Sequence, residues 1–391
     1  MASQEKGRMQ HINPYLDVST GTSGVNARPM SESSDRTLDT QGPMSTLPQY
    51  TEANKSSIDP EVKLILLTYM RSGSTFTGEL FNHHPRVFYF YEPLHSMDFF
   101  FQRRKTPALF FHRDSMKYVA DDKKQQNFLM TNVITSTLNC DFEHMYTGPL
   151  EDALTFRKSR TVQEFKQCKN DNSGLQGLFS CLPVLRKTCT SAKITCVKAV
   201  RLPMELAATL LKDDPKVKVI HLVRDPRGLL NSRQKSGIAR LYRQTPREFC
   251  DYVTKDLKDS IPLKKQYPGR VLTARYEDLA QQPLAFSAQL LTFARLDMEA
   301  AVKEFIKKAT AYNDSHVIEK RYGTVRTNSS HTAAAWRQSV QFKFVQDVDK
   351  GCRELYKLVG YLPFANQKQL GNMEEPYYTD YKLAPIKLWS D

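Results

Sequence analysis

Several features that would assign this 391-residue chain to a specialised class are missing from its sequence. No apolar run reaches the roughly 18 residues that a membrane-spanning helix needs, and no secretory hydrophobic region is visible. The seven cysteines form no Cys-x-x-Cys pair, so a zinc ribbon is not expected. No internal repeat is present. With 40% hydrophobic and 25% charged residues, the composition excludes collagen-like, coiled-coil and wholly disordered chains.

Acidic residues are in deficit. Lys and Arg total 56 against 42 Asp and Glu, which gives a formal charge of +14. This surplus favours an anionic partner, such as nucleic acid, an acidic membrane face, a nucleotide or a polyanionic sugar, without choosing between them. The odd number of cysteines leaves at least one thiol unpaired if the others pair within the chain. Their spacing leaves open both a reduced cytosolic protein and a lumenal protein with disulfides.

Residues 1–60 differ in composition from the rest of the chain. They are rich in Ser, Thr, Gly, Pro, Gln and Asn, and their local charge is −2, so the remaining residues carry +16. Such a segment buries too little apolar surface to offset its ordering entropy. We therefore predict a disordered or stem-like tail at 1–60, one folded domain at 61–370 and a C-terminal extension at 371–391.

The predicted domain alternates strand and helix patterns. Apolar runs typical of buried strands occupy 62–69, 87–90, 194–200, 217–223 and 269–276. Helical spacing follows at 75–82, 284–296 and 300–311. This alternation predicts an α/β fold in which helices flank a central parallel sheet. Residues 100–190 are expected to be irregular insertions over the sheet edge.

A loop of small residues follows the first strand: Arg71-Ser72-Gly73-Ser74-Thr75-Phe76. A strand that passes through such a loop into a helix favours a bound phosphate, because backbone N–H groups and the helix dipole both attract an anion. Gly73 permits close approach of the backbone. The loop is not a Walker A motif, which needs an upstream Gly and a Gly-Lys-Ser/Thr ending. The alternative is a solvated turn in which a serine caps the helix.

The strand at 217–223 ends in Arg224-Asp225-Pro226-Arg227. Pro226 suits the first turn of a helix and Asp225 its N-cap, which places Arg224 at the carboxyl end of the strand. Ser232 follows about two turns into that helix. Ligands of open α/β sheets bind outside these strand ends, so Arg224 and Ser232 are candidates for a second phosphate. A structural ion pair of Asp225 with Arg224 or Arg227 is the alternative.

Together these motifs resemble those of the Golgi-type carbohydrate 6-O-sulfotransferases, which sulfate galactose, N-acetylgalactosamine or N-acetylglucosamine. Residues 69–76 are similar to that family's 5′-phosphosulfate loop, and 221–233 to its 3′-phosphate segment. Further matching stretches lie at 81–94, 198–202, 275–279, 332–337 and 352–361. The resemblance implies a P-loop-like sulfotransferase fold, a nucleotide donor, 3′-phosphoadenylyl sulfate, and in-line transfer of its sulfuryl group to a sugar hydroxyl without a metal.

The resemblance also implies roles for individual residues. Arg71 is expected to balance the charge that develops on the leaving oxygen, while loop residues 72–76 hold the 5′-phosphate. Arg224 and Ser232 are expected to hold the 3′-phosphate. Glu92 matches an acidic position of the family and is the candidate general base, with adjacent histidines at 83 and 84 as weaker alternatives.

Four further residues have two interpretations each. Trp336 and Arg337 match a region that closes over the nucleotide, so Trp336 is expected to stack on adenine, although a core position is the alternative. Lys198 and Arg201 end a predicted strand, so they face either the acceptor and sulfate or solvent.

The resemblance implies partners and a location as well. An anionic glycan such as chondroitin or keratan is expected as acceptor, and nucleic acid is not expected. A lumenal Golgi location follows by resemblance, with a cytoplasmic protein as the alternative, and membrane association would need an anchor that this sequence does not show. Glycosylation sequons begin at Asn54, Asn313 and Asn328. A P-loop NTPase and a catalytically silent polyanion-binding relative are the competing functions.

Overall fold

The computed structural model describes residues 59–98, 109–111, 117–119, 123–240, 244–310 and 329–381. Nearly all of the predicted tail lies outside these residues, as do the asparagines of the three sequons and the last ten residues of the predicted C-terminal extension. The disorder predicted for the tail and the domain boundary at residue 60 therefore stay predictions.

Five parallel strands form the central sheet, which confirms the predicted α/β architecture. They are β1 (Val62–Leu67), β2 (Val87–Tyr91), β5 (Ile194–Ala199), β6 (Val217–Val223) and β7 (Val271–Arg275), in the order β2-β5-β1-β6-β7. A separate antiparallel ribbon pairs β3 (Leu109–Phe111) with β4 (Lys117–Val119). Every residue of β1 is buried, which explains the nearly continuous apolar run in the sequence.

Helices cover both faces of the sheet. Their bounds are α1 Ser74–Asn82, α2 His95–Asp98, α3 Lys123–Leu138, α4 Ala153–Lys158, α5 Gln163–Asp171, α6 Gly174–Thr190, α7 Met204–Asp213, α8 Pro226–Ser236, α9 Pro246–Gln266, α10 Tyr276–Gln281, α11 Pro283–Phe293, α12 Ala300–Thr310, α13 Ser329–Ala334, α14 Phe342–Gly351, α15 Arg353–Val359 and α16 Gln367–Gly371. None of the helices in these described segments is long and apolar enough to cross a membrane.

Alternating side chains of β1 feed two hydrophobic cores. Ile65 and Leu67 belong to the core shared with α3, α6 and α7, whereas Leu64 and Leu66 belong to the core shared with α1, α11 and α12. This division follows from the two-residue period of a strand. Lys63 is the polar exception, because its ammonium group reaches a carboxylate oxygen of Asp214 at 2.7 Å.

Residues 123–190 are more regular than the sequence predicts. They form four helices, including the 17-residue α6, and two disulfides link them, Cys140–Cys189 and Cys168–Cys181. The 21-residue α9 is joined through a third disulfide, Cys250–Cys352, to the start of α15. Cys196 is a buried free thiol. These helices were not predicted from the sequence, because polar and basic residues interrupt the apolar spacing that indicates a helix.

The described part of the predicted C-terminal extension packs on the domain. Tyr378 forms an isolated antiparallel bridge with Tyr361, and Tyr377 and Tyr381 are buried. The Arg275 guanidinium lies 4.2 Å from the ring centre of Tyr378 and 4.6 Å from that of Tyr381. Residues 371–381 thus complete the core near the end of β7.

Candidate active site

The loop between β1 and α1 is a tight turn held by its own polar groups. The backbone carbonyl of Tyr69 accepts hydrogen bonds from the Ser72 amide at 3.1 Å and from the Ser72 hydroxyl at 2.6 Å. Arg71 and Gly73 both adopt left-handed backbone conformations, with φ of 72° and 87°. Among the described residues no side chain caps the first turn of α1. Ser72 therefore braces the turn instead of capping the helix, and the first amides of α1 keep their capacity to bind an anion.

Gly73 cannot be replaced without displacing an aromatic ring. A Cβ at this position would lie 2.1 Å from Cδ2 of Tyr276, the first residue of α10. The glycine therefore serves both the left-handed backbone and the close contact with α10. This explains physically why a small residue occupies the middle of the motif.

The two predicted phosphate-binding segments meet at the carboxyl edge of the sheet. The Nη1 atom of Arg224 donates a hydrogen bond to the backbone carbonyl of Arg71 at 3.0 Å. In return, Nε of Arg71 donates to the hydroxyl of Ser232 at 2.9 Å. Arg233 adds a third link, from its Nε to the Met70 carbonyl at 3.2 Å. The loop after β1 therefore contacts both the residue after β6 and the second half of α8, and these segments form one continuous site.

Arg224 is poised for an anion. Its guanidinium lies 4.6 Å from the ring centre of Tyr276, and its Nε atom is buried without a hydrogen-bond partner in the described structure. The alternative prediction was an ion pair of Asp225 with Arg224 or Arg227. In the structure Asp225 pairs with Arg227, whose Nη2 lies 2.7 Å from a carboxylate oxygen of Asp225. Asp225 also caps α8 by accepting from the Arg227 amide at 2.8 Å. The two neighbouring arginines thus have different roles. Arg227 holds the start of α8 in place, whereas Arg224 keeps an N–H donor that can bind a ligand.

Glu92 follows β2 and is buried in a cluster with two cations. Its Oε1 lies 2.6 Å from Nζ of Lys198, and its Oε2 lies 2.9 Å from Nη1 of Arg201. Burial alone would raise the pKa of Glu92, but the charges and hydrogen bonds of Lys198 and Arg201 outweigh it and lower the pKa to about 2. In this arrangement the carboxylate is a weak base. Its general-base role stays a prediction, because a base needs a pKa nearer the working pH.

The histidine alternatives for the base lie at the wrong end of α1. His83 stacks on Phe305 with the ring centres 4.6 Å apart, and its Nδ1 lies 3.0 Å from the Glu79 carbonyl oxygen. His84 is buried, its Nε2 lies 3.2 Å from the Asp297 carbonyl oxygen, and burial lowers its pKa. The nine residues of α1 span about 13 Å, so both rings are remote from the Arg71 loop. Both histidines therefore pack or cap at the end of α1.

Trp336 is a core residue. Its indole lies against α8, where a Cβ on Gly228 would be 2.7 Å from Cδ1 of Trp336. The rings of Phe364 and Tyr377 pack edge-on to it at 6.3 and 6.2 Å, and the Arg227 guanidinium lies 5.1 Å from its centre. Stacking of Trp336 on adenine is a prediction that this packing does not favour.

Arg337 is engaged in holding the chain that follows it. Its guanidinium is buried and donates to the backbone carbonyls of four residues, Gln369, Leu370, Asn372 and Glu375, at 2.6 to 3.3 Å. These contacts use four of its five donors. The structure therefore gives Arg337 a part in closing the C-terminal segment onto the domain, and its nucleotide contact stays a prediction.

Sequence reasoning missed a buried polar chain beneath the loop. The Tyr69 hydroxyl lies 2.8 Å from Oδ2 of Asp256 on α9 and 2.8 Å from Nε2 of His221 on β6. Burial raises the pKa of Asp256 to about 6 and lowers that of His221 to about 3. Tyr69 stands directly before Met70 and Arg71, so the chain anchors the base of the loop. A tyrosine at the end of an apolar strand was the only hint of it in the sequence.

Glu277 is a second buried group that the sequence did not single out. Its carboxylate accepts from the Asp225 amide at 3.1 Å and from the Tyr361 hydroxyl at 2.9 Å. Burial, with the charge of Asp225, raises the pKa of Glu277 to about 7. It thereby ties α10 to the start of α8, next to Arg224. The one indication of Glu277 in the sequence was its position inside the stretch at 275–279 that resembles the family.

The carboxyl edge of the sheet thus gathers cations from three strand ends: Arg71, Lys198, Arg201 and Arg224. Glu92 is the carboxylate among them. Such a surface suits an anionic ligand with two charged ends and a transferred group between them. In the described residues no group of three or more His, Cys, Asp or Glu side chains is placed to hold a metal ion.

Comparison with known proteins agrees with this geometry. The family described as Sulfotransferase domain matches residues 61–360. Carbohydrate sulfotransferase 1 of Danio rerio is 28% identical over 359 residues, covering 83% of each chain. The protein of the same name from Homo sapiens is 28% identical over 357 residues, covering 81% of this chain and 83% of its own. Carbohydrate sulfotransferase 3 of Mus musculus is 29% identical over 337 residues, covering 76% of this chain and 67% of its own.

Among solved structures, the sulfotransferase domain of the Synechococcus PCC 7002 olefin synthase covers 77% of this chain and 98% of its own, with 16% identity and a TM-score of 0.40. The family match alone extends over well more than half of the chain, from the start of β1 to the end of α15. It includes both segments that meet at the carboxyl edge. This protein therefore belongs to the sulfotransferase family.

Proposed function

We propose that this enzyme transfers the sulfuryl group of 3′-phosphoadenylyl sulfate to the 6-hydroxyl of galactose, N-acetylgalactosamine or N-acetylglucosamine in a glycan such as chondroitin or keratan. The observation that carries the proposal is the pair of hydrogen bonds that joins Arg71 to Arg224 and to Ser232. They bring two separate anion-binding segments into one site, as a doubly phosphorylated nucleotide requires. The relatives named carbohydrate sulfotransferase support a sugar as acceptor.

The residues present fit the phosphates of such a donor. The start of α1 carries amides without a side-chain cap, and Gly73 allows the backbone to approach a ligand closely. The hydroxyls of Ser74 and Thr75 stand in the first turn of the same helix. At the other end, Arg224 has a buried Nε without a partner among the described residues. A phosphate beside it would satisfy that donor and supply a counter-charge.

Arg71 lies between the two proposed phosphate positions. Its side chain reaches across to Ser232, so in this structure it spans the loop and α8. During transfer, negative charge grows on the oxygen between sulfur and the 5′-phosphate. A guanidinium on the loop itself is suited to stabilise that charge, and Ser232 can then turn to the 3′-phosphate.

The acceptor hydroxyl needs a group that removes its proton, and we assign this role to Glu92. Its pKa of about 2 depends on two contacts, with Lys198 and Arg201. A sulfuryl group beside these cations would compete with Glu92 for them. If either contact opens, burial raises the pKa of the carboxyl and makes it a better base. Lys198 and Arg201 would then stabilise the sulfuryl oxygens, which links donor binding to activation of the base.

The three disulfides support a lumenal location in the secretory pathway. Cys140–Cys189, Cys168–Cys181 and Cys250–Cys352 all require oxidising conditions to persist. The sequence alone left this question open. Together with the carbohydrate sulfotransferase relatives, the disulfides favour the Golgi lumen over the cytoplasm. In the Golgi lumen an extended anionic glycan is available as acceptor.

Transfer of labelled sulfate to a panel of glycans tests the proposal. Purified protein with labelled 3′-phosphoadenylyl sulfate is expected to sulfate a keratan, chondroitin or N-acetylglucosamine-terminated acceptor, and disaccharide analysis is expected to place the label at the 6-position. Arg71→Ala, Arg224→Ala and Glu92→Gln should abolish transfer. Arg186→Ala, which removes an exposed cation of α6, is the control that should retain it.

Two results would contradict the proposal. Full transfer by Arg71→Ala or Arg224→Ala would show that the site is elsewhere. Stabilisation of the fold by ATP with magnesium, and not by adenosine 3′,5′-bisphosphate, would indicate an NTPase, since a ligand raises the melting temperature of the protein that binds it.

A further inference from the structure

A polar cavity lies beside β2, the edge strand of the sheet, and contains none of the residues of the two nucleotide segments. Its volume is about 410 Å³, within the range of small-molecule sites. It is lined by Glu79 and Asn82 near the end of α1, by residues 157–160 and by Gln163. None of these residues has a part in the proposed transfer reaction.

The wall of this cavity is fixed to the edge strand. The Ser159 hydroxyl accepts from the Tyr91 amide at 2.9 Å, and the Thr161 hydroxyl accepts from the Tyr89 amide at 3.1 Å and donates to the Tyr89 carbonyl at 2.7 Å. Side-chain hydroxyls thereby satisfy backbone groups of β2 that face away from the sheet. Arg160 stands between two anchored residues, so its backbone is held in place.

The side-chain amides of Asn82, which is buried, and of Gln163, which is exposed, connect the segments that line the cavity. Asn82 accepts from the Arg160 amide at 2.9 Å and donates to the Lys158 carbonyl at 3.1 Å and to Glu79 at 2.9 Å. Gln163 donates to the carbonyls of Phe156 and Ser159, each at 2.6 Å. The cavity is therefore built on a connected polar network between α1 and α4 and is not a gap between mobile side chains.

The charges around the cavity are unbalanced. Arg157, Lys158 and Arg160 form no side-chain hydrogen bond or ion pair with any described residue. The opposing carboxylate, Glu79, is already engaged by Asn82 and by Nδ1 of His83 at 3.2 Å. The lining carries three cations against the single carboxylate of Glu79, and this surplus of positive charge around one concave site favours an anion, which arginine binds through paired donors.

We propose that this basic cavity binds the sulfate of a neighbouring sugar in the acceptor glycan. The inference builds on the proposed function and assigns a second contact to its acceptor. The placement supports it, because Ser159 bonds to the backbone amide of Tyr91, directly before Glu92, and the cavity extends from there along β2 to Asn82 at the end of α1, away from the Arg71 loop. An acceptor whose hydroxyl lies near Glu92 can extend along the β2 edge into the cavity. The enzyme would thereby prefer chains that already carry sulfate.

Calorimetric binding tests this without depending on catalysis. The probes are a sulfated keratan oligosaccharide, its fully desulfated and uncharged counterpart, and inorganic sulfate. The Arg157→Gln/Lys158→Gln/Arg160→Gln variant is expected to bind the sulfated oligosaccharide at least about tenfold more weakly than the natural protein. The ratio of kcat/KM for the sulfated over the desulfated acceptor should fall by a similar factor.

A matched control removes three exposed lysines from the opposite face, with Lys212→Gln, Lys258→Gln and Lys265→Gln on α7 and α9. It should leave the affinity for the sulfated oligosaccharide within about twofold of the natural value. The proposal is overturned if the cavity variant keeps its affinity, if the control loses as much, or if inorganic sulfate binds as tightly as the oligosaccharide. Binding in a protein that sulfates no glycan would instead reject the proposed function and leave the cavity assignment standing.

Discussion

The guanidinium of Arg224 donates to the backbone carbonyl of Arg71 across a 3.0 Å hydrogen bond. These residues are far apart in sequence, one in the loop after β1 and the other directly after β6. This hydrogen bond connects the two anion-binding segments directly, so a movement of one segment is transmitted to the other. Arg233 adds a further hydrogen bond between the segments, which it donates to the carbonyl of Met70. A shift of α8 is therefore expected to move the loop that holds the 5′-phosphate.

Replacement of Gly73 by alanine should impair nucleotide binding. The added Cβ would lie 2.1 Å from the Tyr276 ring, and the backbone φ of 87° disfavours any side chain. We expect a loss of stability of about 1–3 kcal/mol and at least tenfold weaker binding of adenosine 3′,5′-bisphosphate, measured by denaturant unfolding and by calorimetry. Gly269→Ala is the control, because that glycine also has a positive φ but its Cβ would meet nothing within 4 Å. Equal nucleotide affinity in both variants would contradict the assignment of Gly73 to the donor site.

Removal of a cation beside Glu92 should change the pH dependence of the reaction. Lys198 and Arg201 hold the pKa of Glu92 near 2, so the natural enzyme should lose no activity through this group in mildly acidic solution. In Arg201→Met, burial acts with less opposition and the pKa rises. The acidic limb of kcat/KM should therefore move to higher pH, whereas Arg201→Lys should move it less. An acidic limb at the same pH in Arg201→Met would argue against Glu92 as the base.

Replacement of Glu277 by glutamine should alter the pH dependence of stability. Burial raises its folded pKa from 4.5 to about 7, so between these values the folded state holds a proton that the unfolded state has lost. The stability of the natural protein should therefore fall as pH rises through this window, by up to about 3 kcal/mol from this group. Glu277→Gln can keep both hydrogen bonds and should abolish that part of the decline in denaturant unfolding. An unchanged decline would show that the carboxyl is already ionised in the folded protein.

The disulfides give a prediction that requires only thiol counting. Cys196 is the buried free thiol, so one thiol of seven should react after denaturation without reductant. The Cys250–Cys352 bond closes the longest loop, with a separation of 102 residues, and its loss should cost about 4 kcal/mol. The Cys168–Cys181 bond, with a separation of 13, should cost less. More than one reactive thiol in protein purified without reductant would contradict the pairing.

Sequence reasoning reached the strands and the two motifs because both depend on local patterns. The strand at 217–223 was predicted with its observed bounds, and α1 within one residue. Small residues after β1 predict a turn, and the Asp-Pro pair at the start of α8 predicts a helix N-terminus, because both preferences depend on neighbouring residues alone. The carboxyl edge then follows from the rule that parallel strands end together.

The remainder depends on contacts that no local pattern contains. Glu92 was singled out as a base, but its two cationic partners on and after β5 decide its pKa. Arg337 has the chemistry of a nucleotide ligand, yet its carbonyl partners come from residues 369–375. The Tyr69 chain joins three elements across more than 150 residues. Such pairings are set by tertiary packing.

The most direct test of the account is the binding of three nucleotides to the natural protein and to Ser232→Ala, measured by calorimetry. Adenosine 3′,5′-bisphosphate should bind the natural protein at least about tenfold more tightly than 5′-AMP or 3′-AMP, because each lacks one of the two anchoring phosphates. Ser232→Ala should weaken the bisphosphate and 3′-AMP while changing 5′-AMP little. Equal affinity for the bisphosphate and 5′-AMP in the natural protein would contradict a single site that holds both ends of one nucleotide.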